Sequence, residues 1–90
     1  MNIDFYYSET CRYCQIINQT VEGIIREKPY ICLQQIKYHA SIHKNIKYVP
    51  TIIVNFKNHE LGRCSSALSK SEITRWIEQL EEYIDAYLRN

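Results

Sequence analysis

The chain has 90 residues, 46% hydrophobic and 23% charged, with two Gly and two Pro. That is the composition of one packed domain over residues 1–90, neither disordered nor collagen-like, with a modest core that removes about 60–65% of the unfolded surface from water. Eleven Lys and Arg against ten Asp and Glu leave a net charge of +1, and no basic run forms a phosphate-neutralising stripe, which argues against nucleic acid as a partner. The opening Met1-Asn2-Ile3-Asp4-Phe5 has neither the cationic nor the apolar region of a secretory leader. No apolar run approaches the roughly 18 residues that cross a bilayer, so no membrane partner and a soluble, cytoplasmic protein are expected.

Taken in chain order, Asn2–Tyr7 carries Ile3, Phe5, Tyr6 and Tyr7 and predicts a buried strand. The apolar positions then fall at Cys14, Ile17, Val21, Ile24 and Ile25, three and four apart, which predicts a helix from Arg12 to Glu27 stopped by Lys28-Pro29. Tyr30–Ile36 predicts a second strand, since β-branched and aromatic residues crowd into it. Strand, helix and strand within about 35 residues make a right-handed βαβ unit with parallel strands, and hence an α/β fold. A short helix is expected over His39–Asn45, a third strand over Thr51–Phe56, a turn at Lys57-Asn58-His59 and a fourth strand over Glu60–Ser65. Ser69 and Glu72 form a capping box at the start of the last helix, with Leu68 placed to staple onto Ile73. Its apolar stripe runs through Ile73, Trp76, Ile77, Leu80, Ile84, Tyr87 and Leu88, further than covering a sheet requires.

The chemistry concentrates in Cys11-Arg12-Tyr13-Cys14, set between a buried strand and an amphipathic helix. The first Cys falls at the helix N-terminus, where unpaired amides and the dipole stabilise a thiolate; such motifs lower a thiol pKa from about 8.5 into the range of about 3.5–7.5. Cys11 is therefore the expected nucleophile, and Cys14, facing the core, the thiol that closes the disulfide. Arg12, beside Cys11, is expected to favour the thiolate and make the couple more oxidising. A zinc or iron–sulfur pair needs further ligands. Cys32, Cys64, His39, His43 and His59 supply neither a second C-x-x-C nor an H-x₃₋₅-H at finger spacing, so no metal site is assigned. The i,i+4 pair His39 and His43 reads as a solvated polar face. Cys32 is expected to be a small core residue and Cys64 to have no role. Pro50 suits the first position of a strand, where no amide is needed.

Taken together, the strand, C-x-x-C, helix, strand, Val49-Pro50-Thr51, hairpin and final helix resemble the thioredoxin superfamily over nearly the whole chain. The stretch Val49-Pro50-Thr51-Ile52-Ile53-Val54-Asn55-Phe56-Lys57-Asn58, then Gly62-Arg63 and Ala67-Leu68-Ser69-Lys70-Ser71-Glu72-Ile73, is similar to the C-terminal half of thioredoxins. The short N-terminus and the Tyr before the second Cys resemble glutaredoxins. The resemblance implies a thioredoxin-like fold of minimal glutaredoxin type (βαβ–ββα), a four-stranded mixed sheet flanked by helices. It also implies a cis Val49-Pro50 bond beside the C-x-x-C, with the Val49 backbone pairing with an extended substrate and with Arg12, Tyr13 and Tyr48 lining the substrate site. Asp4 is a candidate for the carboxylate that serves the resolving Cys in thioredoxins.

The expected function is thiol–disulfide exchange on protein disulfide or dithiol substrates through Cys11 and Cys14, with no bound cofactor and a thioredoxin-reductase-like or glutathione reducing system as electron source. Gly62-Arg63 stands where glutaredoxins have Gly-Gly, Ser65-Ser66 where they have an acidic pair, and Glu9 near their usual Lys. These charges oppose glutathione, so a glutathione-dependent glutaredoxin is the alternative, and a metal-binding or non-catalytic interaction module is the alternative of another class.

Overall fold

Alternation along the first strand turns Ile3 and Phe5 to one face, where both are buried. In the computed structural model, which describes residues 1–65 and 68–89, that strand, β1 (Asn2–Tyr7), is followed by α1 (Arg12–Glu27), β2 (Cys32–Lys37), β3 (Thr51–Phe56), β4 (His59–Cys64) and α2 (Lys70–Tyr83). The chain then tightens into a π-helical turn, Ile84–Leu88. Ser66, Ala67 and Asn90 lie outside the described residues, and with them Ser66 as the second residue in place of the glutaredoxin acidic pair and Ala67 as part of the thioredoxin-like stretch.

The four strands form one mixed sheet in the order β2-β1-β3-β4. β1 runs parallel to β2, with Phe5 opposite Gln35, and antiparallel to β3, with Phe5 opposite Ile52. β3 returns along β4 through Lys57 and Asn58, both at positive φ (51° and 67°), the conformation of a two-residue hairpin turn and one that Asn tolerates well. The hairpin is thus one residue tighter than the expected three-residue turn.

Ile17, Val21 and Ile24 of α1 and Ile73 and Ile77 of α2 share one buried cluster with Ile3, Phe5, Ile52 and Val54. Both helices therefore cover the same face. Ile53, pointing the other way from its neighbours, is buried on the opposite face. There the expected helix over His39–Asn45 is replaced by two turns: the amides of Ile42 and His43 both donate to the His39 carbonyl, at 3.0 and 2.8 Å, and the Ile46 amide donates to the His43 carbonyl at 3.1 Å. This loop lays the His43 ring edge-on to Tyr6, 5.2 Å between centroids, and buries Ile46.

The second strand begins at Cys32, not Tyr30. Pro29 and Tyr30 form a turn, and Ile31 is buried within the bend that precedes the strand. Cys32 is exposed rather than a core residue; β2 is an edge strand, so its first residue meets solvent. The capping box of α2 forms as expected, with Ser69 Oγ accepting from the Glu72 amide and Glu72 Oε1 accepting from the Ser69 amide. Leu68 packs partly buried against the core. The stripe beyond α2 divides: Ile84 is buried, Leu88 half-buried and Tyr87 exposed, because the π-helical turn, closed by Arg89 N–H on the Ile84 carbonyl at 3.1 Å, shifts the register of the face.

Candidate active site

Three chain segments converge at one end of the sheet: the loop after β1, the first turn of α1 and the loop entering β3. Cys11 is the N-cap of α1, in an extended backbone conformation (φ −91°, ψ 112°). Its own amide donates to the Ser8 carbonyl at 3.2 Å, which closes the turn between strand and helix. Its Sγ accepts the Cys14 backbone amide at 3.1 Å. A cysteine thus performs the work that Ser or Asp usually does at this position, and a helix N-terminus is the place where a sulfur carrying negative charge is favoured.

Across from α1, the Val49-Pro50 bond is cis, and the Val49 carbonyl lies 4.0 Å from Cys11 Sγ, in the direction of a weak S–H donor. Pro50 is buried and Val49 half-buried. Thr51 holds this loop: its hydroxyl donates to the Tyr48 carbonyl, and the Ser65 hydroxyl lies 3.2 Å away. Thr51 is a buried polar residue, 1% exposed. Sequence reasoning quoted it as part of a motif but gave it no role; a Thr directly after a Pro at a strand start was the available signal.

Cys14 occupies the inward face of the same helical turn and is 2% exposed. Burial first, and then its hydrogen bond with the Cys11 sulfur, push its thiol up from 9.0 to about 11, against a smaller opposing effect of the Ser8 backbone amide. The two cysteines are therefore unequal in access: Cys11 is partly open and Cys14 is enclosed.

The remaining expected site residues lie on the chain segments that carry Cys11 and Pro50. Arg12 is exposed on the first turn of α1. Tyr13, 60% exposed, lies on the first turn of α1, and Tyr48, 68% exposed, stands just before the cis Val49-Pro50 bond. Lys47, Tyr48, Thr51, Arg63 and Ser65 contribute to a shallow cleft of about 240 Å³ beyond the loop. Glu9 is tied to Lys37 at 3.3 Å.

Asp4 is not brought to Cys14. It lies on the opposite face of β1 from Phe5, where it accepts a hydrogen bond from Asn55 Nδ2 at 3.0 Å, so strand alternation removes it from the candidate role. Phe5 takes the sheet position in the Cys14 cluster. The cleft that Cys14 helps to line is also walled by Asn18 and Glu22 of α1, one and two turns on, and by Gln35 of β2. The i+4 and i+8 spacing from Cys14 was the signal for the first two; nothing local marks Gln35. Among the described residues, no group of three or more His, Cys, Asp or Glu is arranged to hold a metal ion, and no helix is long and apolar enough to cross a membrane.

No protein-family model matches the chain. Thioredoxin C-3 of Corynebacterium nephridii is 26% identical over 77 residues, which cover 81% of this chain and 53% of that protein; the chain thus spans about half the length of the curated relative it matches. Among solved structures, thioredoxin 1 from Thermosipho africanus superposes with a TM-score of 0.77 at 23% identity, covering 94% of this chain and 99% of that one. Fasciola hepatica thioredoxin gives 0.75 at 18% identity, covering 87% and 78%. A structure of the complex of ferredoxin:thioredoxin reductase with thioredoxin f2 gives 0.78 at 14% identity, covering 89% and 76%.

Proposed function

We propose that this thioredoxin-superfamily chain is a thiol–disulfide oxidoreductase that passes two electrons between its Cys11–Cys14 pair and protein disulfides. The observation that carries the reading is the inequality of the two cysteines across one helical turn: a partly open sulfur that accepts a helix N-terminal amide, and an enclosed thiol hydrogen-bonded to it. Cys11 attacks a substrate disulfide, forming a mixed disulfide and releasing one substrate thiolate. Cys14 then gives up its proton and attacks Cys11 Sγ. The bond between Cys11 and substrate breaks, the second substrate thiolate leaves, and the protein holds the Cys11–Cys14 disulfide.

Val49 and Pro50 form the wall against which an extended substrate segment lies, with the Val49 backbone offering strand-like hydrogen bonds. Arg12, Tyr13 and Tyr48 border that segment, the two tyrosines as apolar faces with polar tips. A protein reductase of the thioredoxin-reductase kind returns the electrons; the likeness to a thioredoxin crystallised with a reductase supports this class of partner. Glutathione is the second candidate reductant, and Glu9 beside the site weighs against its carboxylates. A reducing cytoplasm suits a chain with the exposed thiol Cys32.

The test is reduction of insulin by dithiothreitol, followed as precipitation of the freed chain. Wild-type protein accelerates it and Cys11→Ser does not; absence of acceleration by wild type, or its survival in Cys11→Ser, overturns the proposal. Recycling of the oxidised protein by thioredoxin reductase and by glutathione, compared side by side, separates the two electron sources.

A further inference from the structure

The loop between β2 and β3 carries Tyr48, Val49 and Pro50, and its Val49 carbonyl lies 4.0 Å from Cys11 Sγ. How firmly this wall stands depends on what holds the loop. At its start the Tyr38 amide donates to the Tyr7 carbonyl at 2.8 Å, and at its end the Thr51 hydroxyl donates to the Tyr48 carbonyl. Between these ends Ile46 is 3% exposed, and Arg63 Nη1 reaches from β4 to the Asn45 carbonyl at 3.0 Å.

His43 joins both turns of the loop. Its amide donates to the His39 carbonyl at 2.8 Å, and its carbonyl accepts from the Ile46 amide at 3.1 Å. The ring turns back on the same segment: Nδ1 accepts the His39 amide at 3.0 Å, so His39 and His43 are bonded in both directions. The ring also stands edge-on to Tyr6, 5.2 Å between centroids, which fastens the loop to the strand that leads to Cys11. An Nδ1 that accepts an amide carries no proton, and the ring then keeps its one proton on Nε2. A second proton, on Nδ1, sets two donors against each other and opens the bond.

We propose that His43 is a positioning residue for the substrate wall and holds it only while its ring is neutral. The inference rests on the oxidoreductase reading above and adds that an extended peptide disulfide is taken up more poorly in acid. When the ring gains its second proton, the His39 amide loses its acceptor and the turns that lead to Ile46, Tyr48 and Val49 slacken. Fewer molecules then hold Val49 in place for a substrate strand, and apparent affinity falls with that fraction. A small disulfide needs no wall, so its reaction with Cys11 is spared. On its own loop the ring faces Tyr38 and His39, with centroids at 6.1 and 6.3 Å, and Lys44 follows it in the chain. From β1 comes Tyr6, on which Asp4 of the same strand and Arg63 and Glu60 of β4 act electrostatically. Asp4 is bonded to Asn55, Glu60 closes on Arg63 through two hydrogen bonds, and Lys37 of β2 is paired with Glu9. Among the described residues none of these groups bonds to the ring, so the His39 amide is the contact that a proton on Nδ1 removes.

The experiment compares two neutral probes: an uncharged extended peptide joined to a second copy by one disulfide, and bis(2-hydroxyethyl) disulfide. The protein is the reduced full chain carrying Cys14→Ser, which traps the mixed disulfide on Cys11 for mass spectrometry after acid quench. The second-order rate constant is taken for each probe from pH 8 to pH 5, the range in which imidazoles gain their charge. Dividing the peptide constant by the small-disulfide constant cancels the ionisation of Cys11 itself. With His43 present the ratio should fall by about three- to tenfold, the range set by one hydrogen bond. His43→Asn places Oδ1 where Nδ1 stood and does not titrate, so its ratio should stay high and flat. His43→Phe keeps a ring against Tyr6 without an acceptor, and its ratio should be low at every pH. His39→Ala keeps the backbone amide and should follow the parent. Long-range proton–nitrogen spectra at pH 8 should place the His43 proton on Nε2. A parent ratio that stays constant from pH 8 to pH 5, a fall in His43→Asn equal to the parent's, or a His43 proton on Nδ1 at pH 8 overturns the assignment. Absence of a mixed disulfide on Cys11 with either probe overturns the oxidoreductase reading, an outcome the spectra distinguish from a missing bond at His43.

Discussion

The Cys14 backbone amide donates to the sulfur of Cys11 across 3.1 Å, so the residue that caps the helix is also the more open thiol of the pair. The same bond ties the two cysteines into one turn and leaves them in opposite surroundings. Iodoacetamide at pH 7 should therefore modify Cys11 well before Cys14, whose thiol is raised to about 11. Peptide mapping after a short exposure checks the order, and first labelling of Cys14 contradicts it. Cys14→Ser should trap a mixed disulfide on Cys11 that wild type resolves.

The raised Cys14 thiol also has a consequence for stability. A thiol at 9.0 in the unfolded chain and about 11 in the folded one binds more proton in the folded state between those values. Its contribution is fully present below pH 9 and is lost as pH climbs through 11. The reduced protein should lose on the order of 2 kcal/mol over that interval relative to Cys14→Ala, measured by urea unfolding at each pH. Parallel pH profiles for the two proteins would contradict the burial assigned to Cys14.

At the C-terminal end, Ile84 is fully buried and Tyr87 is 72% exposed. Ile84→Ala should destabilise the fold by about 2–5 kcal/mol, and Tyr87→Ala by no more than about 0.5 kcal/mol. Thermal unfolding of the two variants checks whether the π-helical turn is held by its own chain. A large loss on removing Tyr87 would contradict that placement.

Arg12 is exposed beside Cys11. A cation there favours the charged, reduced sulfur over the uncharged disulfide, so Arg12→Gln should lower the reduction potential. The fall should be at most about 30 mV and should shrink in high salt, because an exposed charge is screened over about 8 Å under physiological conditions. An unchanged or higher potential in the variant rejects a role for Arg12 in the couple.

Periodicity and capping made most of the fold readable. Three- and four-residue spacing gave α1, and the Ser69 and Glu72 pair gave the start of α2, because these signals are local and their chemistry completes itself within a turn. The misplaced features depend on what other segments do. Tyr30 has strand propensity, but Pro29 turns the chain and delays β2 to Cys32. His39–Asn45 closes two hydrogen-bonded turns and follows the sheet face on which Tyr6 meets His43.

At the site, Cys11 and Cys14 were visible from their spacing. The cis bond at Pro50 came from the family resemblance, since residue type alone favours trans. The side of the sheet taken by Asp4 was fixed only by strand register, one residue of which moves a side chain to the other face. The cleft wall of Asn18, Glu22 and Gln35 joins a helix to a strand, and no single stretch of sequence contains it.

The reduction potential of the chain, measured by equilibration with dithiothreitol or glutathione buffers and mapped by mass spectrometry, tests the central claim most directly. The account predicts one two-electron couple joining Cys11 to Cys14, with a potential between about −270 and −120 mV, the range of exchange-active pairs. Failure of these two residues to form a disulfide, or a couple below about −300 mV that resists exchange as structural bridges do, would contradict it.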